Sequence, residues 1–126
     1  MDLVVKSLDR PDEHPVLPKG VAEIVALGDT LVVRGQLEPG WRWSNDWQPI
    51  FGGTSCQMPH TGVVLSGRWH FEMDDGTGVD LGPGDVYSIP PGHDAWVVGD
   101  EPVRTIDFAP AQDVATQAAM AAGAGD

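Results

Sequence analysis

The sequence predicts an all-β fold, and three observations carry that prediction. Apolar runs are short and recur at near-regular spacing from Val21 to Phe108. Tight-turn signals separate them: Gly28-Asp29, Glu38-Pro39-Gly40, Asp74-Asp75-Gly76, Gly82-Pro83-Gly84-Asp85, Pro91-Gly92 and Gly99-Asp100. Sixteen glycines and eleven prolines are too many for a helical protein and too few for a disordered one. Eight or so such strands in one chain of 126 residues point to a single closed barrel or sandwich.

The elements follow in order. Residues 1–20 carry Pro11, Pro15 and Pro18 and read as an extended N-terminal arm, with one short strand expected at Leu3–Lys6. The barrel is expected over 21–110. Its strands are VAEIVAL, LVVRGQL, VVLSGRWHFEM bending toward Asp74, a short Val79–Leu81, VYSIP, AWVV and VRTIDF. The tryptophan-rich stretch GWRWSNDWQPIFGG lies between the second and third of these and is read as extended. Helical character is expected nowhere before the alanine-rich tail, 111–126.

Seven basic residues against nineteen acidic ones leave a net charge of −12. Such a surface repels nucleic acid and anionic membranes, so neither is an expected partner. A single cysteine permits no internal disulfide and fits a cytoplasmic protein. The opening MDLVVKSLDRPDEHP lacks the apolar stretch of a signal peptide.

Residues 84–98, GDVYSIPPGHDAWVV, resemble the second conserved motif of the cupin superfamily, G-x5-P-x-G-x2-H-x3-N, with Gly84, Pro90 and Gly92 at matching spacing. The first cupin motif, G-x5-H-x-H-x3,4-E-x6-G, anchors on Gly67. That register puts Thr54 and Cys56 at the two histidine positions and His60 at the glutamate position. Ala95 stands where the last histidine belongs, and His93 lies two residues earlier, on the bend after Gly92. The resemblance covers roughly 35–110. It implies a cupin-type antiparallel β-barrel (a double-stranded β-helix or jelly roll) with a non-standard metal-ligand set. It also implies a possible homodimer, with the N-terminal arm long enough to pack across a partner.

Cys56 and His60 lie four apart and share one face of an extended chain, and both residue types bind transition metals. With His93 from the facing loop they make three protein ligands for a divalent ion such as iron, zinc, copper, nickel or manganese. The plain alternative is a small buried thiol and core histidines. His93 faces the cavity only if the bend keeps that register. His70 alternates with Trp69, Phe71 and Met73, so it reads as outward.

Trp41, Trp43 and Trp96 are expected to line a site for a flat or apolar ligand, with Gln57 as a polar contact. Asp107 groups with Val103 and Thr105 by alternation. On an interior face its pKa would rise, making it, with His60, a candidate acid or base. Two functions compete. One is a metal-dependent enzyme of oxygenase, isomerase or cyclase type on a small aromatic or apolar molecule. The other is a metal-free, non-catalytic ligand-binding or sensor barrel.

Overall fold

The computed structural model describes residues 2–110. The alanine-rich tail, 111–126, lies outside the described residues.

Among the described residues, nine strands form two antiparallel sheets: β1 (Val16–Leu17), β2 (Gly20–Leu27), β3 (Thr30–Leu37), β4 (His60–Ser66), β5 (Arg68–Met73), β6 (Gly78–Leu81), β7 (Val86–Ile89), β8 (His93–Val98) and β9 (Val103–Pro110). The larger sheet has the order β1-β2-β3-β9-β4-β7 and the smaller β6-β5-β8. The expected all-β architecture is therefore present. Inward residues alternate along the strands, as a half-buried sheet requires. Trp69 and Phe71 on β5, Ala95 and Val97 on β8, Tyr87 and Ile89 on β7, and Val64 and Val103 from the larger sheet join one core.

Three expectations about local structure need correction. The run VVLSGRWHFEM is not one strand: Gly67, at φ +83°, divides it between β4 of the larger sheet and β5 of the smaller. The segment after Trp41 is helical, not extended: a π-helical turn at Trp43–Trp47 runs into α1, Gln48–Phe51. Local residues set part of this turn. Asp46 accepts the amide of Arg42 through its side chain at 2.9 Å, Pro49 sits in the first turn of α1, and Gly52 ends it at φ +80°. Alternation arguments based on an extended Trp41–Trp47 segment therefore fail beyond Arg42.

The N-terminal region is more than an arm. Leu3–Lys6 forms no strand, and Leu3 and Val5 are exposed. Farther along, Glu13 bridges to Ile24, and β1 pairs with the start of β2. Trp47 locks this hairpin down: its indole donates to the Pro18 carbonyl at 2.8 Å, and Lys19 pairs with Asp46 at 3.1 Å. Gly20 makes the contact possible, because a Cβ there would come within 2.6 Å of the Trp47 ring.

Candidate functional site

The larger and smaller sheets enclose a cavity of about 460 Å³. Its walls are mainly apolar and aromatic: Trp41, Trp43, Trp47 and Phe51 from the helical segment and its approach, Trp69 and Phe71 from β5, and Met58. Trp41 packs edge-on against Trp47 at 5.1 Å, and Trp69 against Phe71 at 4.4 Å. The indole N–H groups of Trp41 and Trp69 are buried without a hydrogen-bond partner.

Cys56, His60 and His93 meet at the wall of this cavity, their ligand atoms all within 4.8 Å of one another. Three local features bring them there. Cys56 and His93 form an isolated antiparallel bridge. Gly92, at φ +92°, turns the chain so that His93 opens β8 with its side chain inward, in the row of Ala95 and Val97. His60 opens β4, 5.1 Å from the His93 ring between centroids. The question of the bend's register is thus settled inward, and His93 is 1% exposed.

The donor set fits a metal ion, and His93 supplies the observation. Its Nδ1 lies 2.8 Å from the Pro90 carbonyl, so Nδ1 carries the proton and donates it. Its Nε2 is then a lone pair, buried and without a partner among the described residues. A carbonyl holding one ring nitrogen while the other points into a cluster of donors is the outer support that metal-binding histidines use. Burial, reinforced by the neighbouring His93, pushes His60 down to about 3, and burial lowers His93 as well. Both imidazoles are therefore neutral and available as donors at neutral pH. Burial pushes the Cys56 thiol up to about 11, so an ion binding there displaces its proton.

Asp107 faces the same cavity from β9. Burial pushes its carboxyl up to about 6, opposed by hydrogen bonds from Tyr87 and Thr105. Tyr87 donates to Oδ1, and Thr105 to Oδ2 at 3.3 Å. Burial and the adjacent Asp107 raise the Tyr87 phenol, which stays protonated and serves as a donor.

Of the expected ligand-contacting residues, Trp41 and Trp43 line the cavity, whereas Trp96 and Gln57 do not. Trp96 falls on the outward positions of β8 with Asp94. It stacks on His70 at 4.3 Å, with the Arg42 guanidinium 4.3 Å from its ring. His70 lies on the outer face as expected, paired with Asp80 at 2.7 Å. Gln57 is exposed and turns its amide back onto Ser55. Thr54, at a histidine position of the cupin register, is exposed. Sequence reasoning also passed over Tyr87 and Gly62. Two signals were there to find: Tyr87 alternates with Ile89, and a glycine inside a strand marks a close approach.

No protein-family model matches the sequence, and neither does any curated protein. Solved structures do. KdgF from Halomonas sp. is 24% identical with a TM-score of 0.57, over 82% of this chain and 90% of that one. An uncharacterized conserved protein with a double-stranded β-helix domain from Klebsiella pneumoniae is 22% identical with a TM-score of 0.56, over 89% and 94%. A cupin-like protein from Thermotoga maritima is 20% identical with a TM-score of 0.52, over 72% and 68%. The chain has the cupin, double-stranded β-helix fold, and it carries a Cys–His–His group able to hold a metal ion.

Proposed function

We propose that this protein is a metal-dependent enzyme of the cupin fold that acts on a small aromatic or apolar organic molecule. One observation carries the reading: the unpartnered Nε2 of His93 sits with Cys56 and His60 at the edge of an aromatic-walled cavity. Cys56, His60 and His93 would hold a divalent transition ion. One thiolate and two imidazoles favour zinc, ferrous iron or copper over harder ions, with nickel and manganese behind them. A bound ion supplies Lewis acidity toward a carbonyl or hydroxyl, or a site for oxygen, on the side the protein leaves open. The chain's own residues do the rest. Trp41, Trp43 and Phe71 bury the apolar body of the ligand and exclude water, and Asp107 holds or moves a proton at its carboxylate.

The exposed Leu3 and Val5 support a homodimer in which the N-terminal segment packs on a second copy. The net charge of −12 supports a partner list without nucleic acid or anionic membrane. Among the described residues no helix is long and apolar enough to cross a membrane. The single cysteine fits a cytoplasmic location.

The experiment is elemental analysis of untagged protein, purified without chelator, for wild type and His60→Ala. Near-stoichiometric metal in the wild type, lost in the variant, is expected. No metal in the wild type, even after reconstitution with each ion in turn, would favour the non-catalytic binding barrel instead.

A further inference from the structure

Tyr87, Gly62 and Asp107 are neighbours in one cross-strand row of the larger sheet, on β7, β4 and β9. The middle residue has no side chain. The Tyr87 phenol therefore reaches across β4 and donates to Asp107. A Cβ at position 62 would overlap both the Asp107 carboxylate and the Ile106 carbonyl. Thr105, on the same face of β9, donates to the other carboxylate oxygen. Each oxygen of Asp107 thus has one protein donor and acceptor capacity to spare, and the group lines the cavity. On the far side its cross-strand partner is Val33 of β3, which brings no charge. The titratable groups on this face are Tyr87 and, two residues before Gly62 on β4, the neutral His60.

Among the described residues, no lysine or arginine lines the cavity, and Asp107 is the one carboxylate that does. That balance decides what fits. A ligand carboxylate would meet Asp107 with no basic side chain to compensate either charge. A purely apolar ligand would strip water from a carboxylate and leave its free lone pairs unmet. An organic cation would satisfy Asp107 but carry its own desolvation cost into an apolar space. A hydroxyl on an uncharged ring satisfies the acceptor and leaves the rest of the molecule to the tryptophans.

We propose, resting on the cavity reading above, that Asp107 is the recognition group for an uncharged, hydroxyl-bearing ring compound of phenol or enol type. Tyr87, reaching across the gap at Gly62, is the positioning residue that holds its carboxylate. The hydroxyl donates to Asp107, and an anion of matching shape gains nothing at this carboxylate.

Three probes of matched shape test this: 4-ethylphenol, 4-ethylanisole and 4-ethylbenzoate. Binding is followed through the tryptophan indole N–H resonances of the protein as purified, with its metal content measured on the same sample. At pH 8 the phenol is uncharged, and it is expected to bind roughly tenfold more tightly than the anisole, the margin of a hydrogen bond to a charged acceptor. In a metal-free sample the benzoate should bind no better than the anisole, since no ion is then present to take its carboxylate. Asp107→Asn should cut the phenol-over-anisole ratio to about threefold or less, since a neutral acceptor is weaker. In the wild type the ratio should fall as Asp107 takes up its proton near pH 6. Tyr87→Phe should move that midpoint upward, because its hydrogen bond favours the ionised carboxylate; a merely structural tyrosine would leave the midpoint in place. Equal binding of the three probes, or a ratio unchanged in Asp107→Asn, would overturn the proposal alone. Failure of every probe to bind would overturn the cavity reading with it. A metal-free sample that still prefers the phenol would remove the metal and leave this recognition standing.

Discussion

Cys56 and His93 face each other across an antiparallel bridge, the Cys56 amide donating to the His93 carbonyl at 2.7 Å and the His93 amide returning to the Cys56 carbonyl at 3.2 Å. The bridge ties two of the three metal-ligand candidates together through the backbone, so their spacing does not depend on side-chain packing alone. The Gly92 amide adds a third bond to the Cys56 carbonyl at 2.8 Å. Groups that must hold an ion gain from such preorganisation, because little is left to order when it binds.

The first prediction concerns this triad. His93→Ala and Cys56→Ser should each reduce bound metal from near-stoichiometric to trace, as measured by elemental analysis after dialysis. Thr54→Ala, an exposed residue at a histidine position of the cupin register, should leave the metal content unchanged. Metal lost equally from Thr54→Ala would mean that the ligand set is a different one.

The second concerns pH and stability. Asp107 holds its proton up to about pH 6 in the fold, while an aspartate in the unfolded chain releases it near 3.9. Over that interval the fold binds the proton more tightly than the unfolded chain does. The stability this contributes is fully present below pH 4 and is lost as pH rises through 6, by at most roughly 3 kcal/mol. Asp107→Asn should remove this part of the pH dependence. Urea denaturation at pH 4, 5, 6 and 7 reads it directly, and parallel curves for the two proteins would refute the assignment.

The third concerns Gly62. Gly62→Ala places a methyl group where the Asp107 carboxylate and the Ile106 carbonyl already sit. Backbone cannot yield as a flexible side chain can, so a loss of about 3 kcal/mol is expected. A shift of the denaturation midpoint within error of the wild type would show that β4 and β9 do not approach so closely.

The fourth separates Trp96 from the cavity. Its ring stacks on His70 and also carries the Arg42 guanidinium, on the outer face. Trp96→Ala should cost about 1 kcal/mol in stability through the lost cation–π contact and packing. It should leave ligand binding as it was, in contrast to Trp43→Ala, whose ring is a buried part of the wall. Calorimetric melting and the indole titrations give the two readouts.

Much of this protein was legible before any coordinates. Turn signals and period-two apolar runs located β2, β3 and β6 to β9, because side-chain alternation and glycine φ preferences act over a few residues, whereas β4 and β5 read as one run. The cupin register brought Cys56 and His60 together, with His93 two residues off its motif position, and alternation grouped Asp107 with Val103 and Thr105 without deciding whether that face is interior. Trp96 failed for a reason visible only in the fold. It lies three residues from His93 along the chain, yet the same alternation that turns His93 and Ala95 inward turns Trp96 out. The tryptophan-rich stretch failed because its helical turn is set by Asp46 reaching back to the Arg42 amide and by contacts with Pro18, Lys19 and Gly20 far away in sequence.

What the sequence by itself determined was the barrel and the kinds of side chain on its inner face, since both depend on local periodicity. What only the tertiary structure decided was which of those side chains meet. The inward turn of His93, the orphaned Nε2 beside Cys56, and the phenol of Tyr87 crossing an empty place at Gly62 to Asp107 all arise where strands distant in sequence are brought into register. That register is set by the whole barrel closing on its core, and no short window of residues contains it.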